Sequence, residues 1–270
     1  MPAPAEQSAE AATYDPGLYE SLVEVEDRHF WFRARNRAIT AVFESLSADL
    51  RPGYRVLEVG CGTGYVLRDL QKSAAGGSVI GMDLHLEGMR YAQRRVHPAL
   101  LVRADAGHPP FSVRFDVVGV FDVLEHLDDD VAVLRQLREL LSPGGALMLT
   151  VPAHRSLWSY FDVGAHHRRR YERAELRDKL VAAGYSVEYL TPYMTVLQPV
   201  LWAGRRLAAT RGRRPADAAS AWTLAGADLR VRPVSGAVLG FLLRQELPSL
   251  RRRRPLPMGA SLLAVARVAA

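Results

Sequence analysis

Val56-Leu57-Glu58-Val59-Gly60-Cys61-Gly62-Thr63-Gly64 carries an apolar run directly into three glycines at alternate positions. Such a run reads as a buried strand. The glycines let the backbone turn sharply and approach a ligand closely, with the amides of the next helix facing it. A nucleotide-like ligand suits this turn. The dinucleotide spacing G-x-G-x-x-G does not, because its third glycine would fall on Tyr65. Taken alone, the segment leaves a plain tight turn as the alternative.

Strand-like and helix-like segments alternate downstream of the turn. Residues 65–71 read as a helix, 78–82 as a strand, 87–96 as a helix, and 100–103 and 115–121 as strands. Asp128 or Asp129 caps a helix over 131–141, which Ser142-Pro143-Gly144-Gly145 stops before a strand at 146–151. A helix over 174–183 and a strand over 185–190 follow, and 261–268 is apolar enough to close the sheet. This alternation predicts a parallel sheet with helices on both faces. Polar groups recur at successive strand ends: Asp83, 23 positions after Gly60, then Asp105, then Asp122, Glu125 and His126. The carboxyl edge is where open α/β sheets bind ligands, and Asp83 is placed to accept hydrogen bonds from ribose hydroxyls.

With these pieces in view, the chain resembles the class I S-adenosylmethionine-dependent methyltransferases, in particular bacterial small-molecule enzymes similar to ubiquinone-type O-methyltransferases. The matching segments are V-L-E-V-G-C-G-T-G, G-M-D-L-H, R-A-D-A, F-D-V-V-G-V-F-D-V-L-E-H-L and L-S-P-G-G-A-L-M-L-T-V-P, in order from Arg55 to Pro152. The resemblance implies a Rossmann-like, doubly wound α/β sheet of seven strands with an antiparallel last strand. It implies S-adenosyl-L-methionine as cofactor, leaving as S-adenosyl-L-homocysteine. Gly60, Cys61, Gly62 and Gly64 would then lie at its methionine part, Glu58 would order the turn, and Asp83 with Leu84 would hold the ribose. Asp105 and Ala106 would face the adenine, and the backbone of Phe121 would line the methionine end. An N-terminal arginine often binds the cofactor's carboxylate in this group. Of Arg33, Arg35 and Arg37, Arg35 is the choice, against the alternative of arginines on a solvated helix face.

Methyl transfer from a sulfonium is an in-line displacement, so a protein base is needed only when the acceptor must lose a proton. His126 is one candidate by its pKa range, although a structural role beside the cofactor weighs more. The loop after the fifth strand holds the more distinctive set: His154, Tyr160, Asp162 and His167, followed by Arg168, Arg169 and Arg170. The arginines would clamp an anionic acceptor or else pair with the acidic helix around Glu24, Glu26 and Asp27. A metal held by His154, His166 and His167 with Asp162 is disfavoured by the adjacent arginines, so no metal is expected.

Domain organisation follows from the same reading. Residues 1–16 are expected to be a disordered leader, 17–52 N-terminal cap helices, 53–190 the cofactor-binding core, 191–258 a helical insertion and 259–270 the closing strand. Within the insertion, Tyr193, Met194, Leu197, Trp202 and Trp222 would form an apolar acceptor wall or simply core. The 270 residues are 49% hydrophobic and 24% charged, enough for a sizeable core and against wholesale disorder. One cysteine permits no intrachain disulfide, which points to a reducing cytoplasm. The formal charge of +6 conceals a gradient, because 13 arginines face three acidic residues after position 200. Basic and aromatic residues are not interleaved there, so a nucleic-acid partner is not expected. Weak contact with an anionic membrane surface through Val238–Leu243, Arg244 and Arg251–Arg254 is the alternative. The expected acceptor is a small or lipid-like molecule, methylated on oxygen before carbon, by a monomer or homodimer. Two other readings keep the fold: a protein repurposed for cyclisation or regulation, and, less favoured, an RNA methyltransferase.

Overall fold

The structure, a computed structural model, describes residues 17–96, 100–210, 231 and 233–269. The expected leader and residues 211–230, Trp222 among them, lie outside the described residues. Seven strands form one sheet in the order β3-β2-β1-β4-β5-β7-β6. They are β1 (Arg55–Val59), β2 (Ser78–Asp83), β3 (Leu100–Arg103), β4 (Phe115–Phe121), β5 (Leu141–Pro152), β6 (Ser186–Tyr193) and β7 (Ser261–Arg267). β1 to β5 pair in parallel, while β7 runs antiparallel to both β5 and β6. The strand order reverses between β1 and β4, which sets a crevice at their carboxyl ends.

The described helices are α1 (Gly17–Glu26), α2 (Phe30–Ser47), α3 (Tyr65–Ser73), α4 (Leu86–Arg95), α5 (Asp130–Glu139), α6 (Tyr160–Gly164), α7 (Arg173–Ala182), α8 (Leu197–Thr210), α9 (Pro233–Arg244) and α10 (Leu247–Arg251). β1 and β4 are buried on both faces, so each sheet face carries its own core. Val56, Val117, Met148 and Val265 meet α2 and α3 on one side, and Leu57, Val118, Leu147 and Leu149 meet α5 and α7 on the other. His29 separates α1 from α2 as the N-cap of the second helix, its ring accepting from the Trp31 amide, so Phe30 opens α2 and Phe32 lies in its first turn.

One expectation needs correction, and one left open is decided. Ser142-Pro143-Gly144-Gly145 is part of β5, where pairing steps from Phe115 with Leu141 to Val117 with Ala146. The extra residues are absorbed as a bulge, with Gly144 at φ +73°. Tyr193, Met194 and Leu197 are core residues rather than a pocket wall, and Trp202 is 49% exposed on α8. Pro192 is tolerated in β6 because that strand is the sheet edge.

Candidate active site

The glycine turn closes the carboxyl end of β1. The Gly60 and Cys61 amides both donate to Met82 O, at 2.7 and 3.0 Å, fastening the turn to β2. Gly60 sits at φ +73°, and a Cβ there would stand 2.3 Å from Val123 Cγ2. Gly62, at φ +49°, faces open space whose nearest atom is Tyr19 Cε1 at 3.9 Å. That room is what a ligand's approach to the backbone requires. Gly64 serves differently: it is the N-cap of α3, and a Cβ there would stand 2.8 Å from Ala92 Cα. It packs α3 against α4 and does not line the cleft.

Carboxylates ring the turn. Asp83 Oδ2 accepts from the Gly62 amide at 2.7 Å and Oδ1 from the His85 amide at 2.8 Å. Burial pushes its carboxyl up, against the pull of those two hydrogen bonds. Glu58 is buried, and its Oε2 has no hydrogen-bond partner among the described residues. Burial first, then Arg35 in opposition, leaves its carboxyl well above the usual range. Leu84, Asp105 and Ala106 line the same cleft, with Asp105 turned back to the Gly107 amide at 2.6 Å. Cys61 also lines it, but burial pushes the thiol far up, so small size is its contribution.

Arg35 reaches the cleft wall from α2, donating to Phe121 O at 2.9 Å and pairing with Asp122. Phe121 itself does not line the cleft. Its ring packs among the core residues, its carbonyl is taken by Arg35, and Asp122 (φ +54°) and Val123 form the wall. Tyr19, Leu22 and Glu26 of α1, with Trp31 and Phe32 of α2, cover the opening. Glu26 holds this cover down, accepting from Thr63 Oγ1 at 2.9 and 2.8 Å and pairing with Arg95 of α4. The apolar wall thus comes from the N-terminal helices, not from the insertion. No local pattern announces it, because Glu26, Thr63 and Arg95 are far apart in sequence.

The histidines separate sharply in space. His167 lines the cleft, its Nδ1 at 3.0 Å from Asp162 Oδ1 and its Nε2 at 3.9 Å from Glu125 Oε1. Its ring stands edge-on to His126, 4.8 Å between centroids. Burial, then the neighbouring His167, hold His126 down to about 3, so it is a neutral imidazole and a weak base. Asp162 is fully buried and does not itself meet the cleft. Its Oδ1 accepts from Arg170 Nε at 2.6 Å, and its Oδ2 from the Ser159 amide at 2.8 Å as part of a capping box on α6. Burial opposes ionisation, but the hydrogen bond from His167 and the charge of Arg170 outweigh it and hold the carboxyl at about 2. Asp162 therefore takes up no proton near neutrality and acts by positioning. His154, expected at the acceptor, instead meets Glu172, the N-cap of α7, at 3.2 Å, and neither it nor Tyr160 lines the cleft.

The arginine clamp is also overturned. Arg168 pairs with Asp128, Arg169 with Asp130 and Arg170 with Asp162, so each guanidinium is committed to the protein. The acidic residues of α1 and the turn after it pair elsewhere, Glu26 with Arg95 and Asp27 with Arg68. Glu125, His126 and His167 present one ligand atom each within 4.8 Å of one another, a donor set that suits a divalent ion. The fit to a nucleoside-like cofactor is better supported: an open glycine cradle, Asp83 beside it, and the unpartnered buried oxygen of Glu58 on the wall.

Comparison with known proteins agrees with this fold. A family model described as "Methyltransferase domain" matches residues 31–190. A protein of Mycolicibacterium smegmatis named "Probable S-adenosylmethionine-dependent methyltransferase" is 31% identical over 182 residues, 64% of this chain and 63% of that one. A ubiquinone biosynthesis O-methyltransferase of Proteus mirabilis is 28% identical over 124 residues, 43% of this chain and 49% of that one. The chain thus spans less than two thirds of each of these relatives. Among solved structures, the plantazolicin methyltransferase BpumL in complex with SAH superposes with a TM-score of 0.60 at 13% identity, covering 95% of this chain and 91% of that one.

Proposed function

The chain belongs to the methyltransferase-domain family, and we propose that it transfers a methyl group from S-adenosylmethionine to a hydroxyl oxygen of a small-molecule or lipid-like acceptor. The observation that carries the oxygen assignment is His167, a residue of the cleft wall held by Asp162 at Nδ1, with Nε2 3.9 Å from Glu125 Oε1. Bound S-adenosylmethionine supplies the electrophilic methyl. Gly62 would admit it to the backbone, Asp83 would take the ribose hydroxyls, and Asp105 with Ala106 would flank the base. Glu58 and Arg35 would receive the charged amino-acid end, for which Arg35 brings the only guanidinium lining this cleft among the described residues.

Ionised Asp162 favours the tautomer in which His167 donates from Nδ1, leaving the Nε2 lone pair for an acceptor proton. The covering rings of Trp31, Phe32 and Phe161 exclude water and favour an apolar acceptor body. The test is His167→Ala assayed for S-adenosylhomocysteine release over a panel of phenols, alcohols and carboxylic acids. With a hydroxyl acceptor kcat falls about 100-fold or more, while cofactor affinity by calorimetry is unchanged. An unaltered kcat, or turnover of carboxylic acids only, refutes the assignment. Turnover of no acceptor, with cofactor still bound, would favour the repurposed-fold reading.

A further inference from the structure

The opposite face of α2 carries a second constellation. Arg28, at the end of the turn from α1, and Arg33 and Arg37 of α2 converge with Arg244 of α9 around Phe30 and Phe241 in one groove. Arg28 donates to Glu24 O, but among the described residues no carboxylate pairs with Arg33, Arg37 or Arg244. Burial, followed by the like charges of Arg244 and Arg33, pushes the Arg37 guanidinium down. Cations this close, with no carboxylate paired to Arg33, Arg37 or Arg244 among the described residues, suit an anionic partner.

The helix beside them is unusually apolar on its outer side. Gly236 and Gly240 of α9, four residues apart, face Phe30, each with its nearest atom at 3.8 Å from where a Cβ would be. Their small size lets α9 lie close to α2. Val234, Val238 and Phe241 recur at helical spacing on an outer stripe and are 80%, 55% and 61% exposed. No described helix is long and apolar enough to cross a membrane.

We propose that α9 and the Arg28, Arg33, Arg37 and Arg244 cluster form a docking surface for an anionic phospholipid bilayer, the apolar stripe entering the interface and the arginines taking headgroup phosphates. Apolar burial and basic charge on adjoining surfaces are the two contributions that peripheral binding requires. In the arginine run of the tail, Arg251 pairs with Glu44 and Arg253 with Glu188, and none of the four arginines lines this groove. The charges that matter come from α2 and its preceding turn, together with Arg244.

Flotation of the full chain with mixed phosphatidylglycerol/phosphatidylcholine vesicles tests this, with pure phosphatidylcholine vesicles and added inorganic phosphate as separate arms. The chain is expected to float with anionic vesicles at low salt and not with neutral ones. Joint replacement Arg33→Ala with Arg37→Ala should lower partitioning on the order of tenfold. Val238→Asp with Phe241→Asp should abolish it, while S-adenosylhomocysteine affinity stays at the parent value. Absence of flotation, or flotation that both double variants retain, overturns the proposal. So does displacement by millimolar inorganic phosphate well beyond that caused by sodium chloride at matched ionic strength, which would mark a soluble phosphate ligand. Conversion of a dimer to a monomer by the aspartates, without vesicle binding in the parent, would assign the face to a second copy.

Discussion

His167 Nδ1 lies 3.0 Å from Asp162 Oδ1, and the same carboxyl oxygen accepts from Arg170 Nε at 2.6 Å. The imidazole is thus held by a carboxylate that is itself held by a guanidinium and the α6 capping box. Asp162→Asn removes the charge that both partners rely on. It is expected to destabilise the fold by about 3 kcal/mol, as breaking a buried pair does. It should also lower kcat while cofactor affinity stays near the parent value, because the imidazole it orients stands on the cleft wall. Urea unfolding with steady-state kinetics and calorimetry checks both; a stability loss with an unchanged kcat would leave Asp162 a purely structural residue.

The glycines of the turn separate packing from ligand access. Gly60→Ala should destabilise strongly, because its Cβ would sit 2.3 Å from Val123 Cγ2 at a left-handed φ. Gly62→Ala meets nothing closer than 3.9 Å, so only the backbone cost of about 1 kcal/mol applies. Its added methyl should nonetheless reduce S-adenosylhomocysteine affinity. Thermal melts and calorimetry on both variants give the contrast; equal affinities for Gly62→Ala and parent would place the ligand elsewhere.

Glu26 ties α1 to the glycine turn and to α4. Glu26→Gln keeps the size and loses the charge opposite Arg95. The expected result is faster proteolysis within α1 and cofactor affinity weaker by about tenfold, the effect of a loss of about 1.4 kcal/mol. Limited proteolysis with and without S-adenosylhomocysteine reads this directly.

Acid should begin to destabilise the protein above the pH range of ordinary carboxylates, through His126. His126 is neutral in the folded state, its pKa held at about 3 by burial first and His167 second, against about 6.5 when unfolded. The unfolded chain binds the extra proton, so this contribution is complete above about pH 6.5 and declines as pH falls toward 3. The slope is at most about 1.4 kcal/mol per pH unit for one proton. Chemical denaturation at pH 7, 6, 5 and 4 should show the decline, and His126→Gln should flatten it. Asp162, held at about 2, adds its own loss only below about pH 4.

The glycine turn, the strands around it and the aspartate at the end of β2 were legible from residues alone. Apolar periodicity is local, and a left-handed turn restricts composition at single positions. The antiparallel β7 was anticipated from the resemblance and from its apolar run. Tertiary structure alone decided the fates of charges and rings, since a pair such as Arg170 with Asp162 or Arg35 with Asp122 depends on which distant segments meet. It turned the expected arginine clamp into internal ion pairs and sent His154 to Glu172. It moved the apolar cover from the insertion to α1 and α2, and it separated Gly64 and Phe121 from the cleft. It also brought Arg33 and Arg37 beside Arg244, a concentration of charge that no stretch of sequence contains. Each strand ends where its own residues dictate; what stands opposite that end depends on how the whole chain packs.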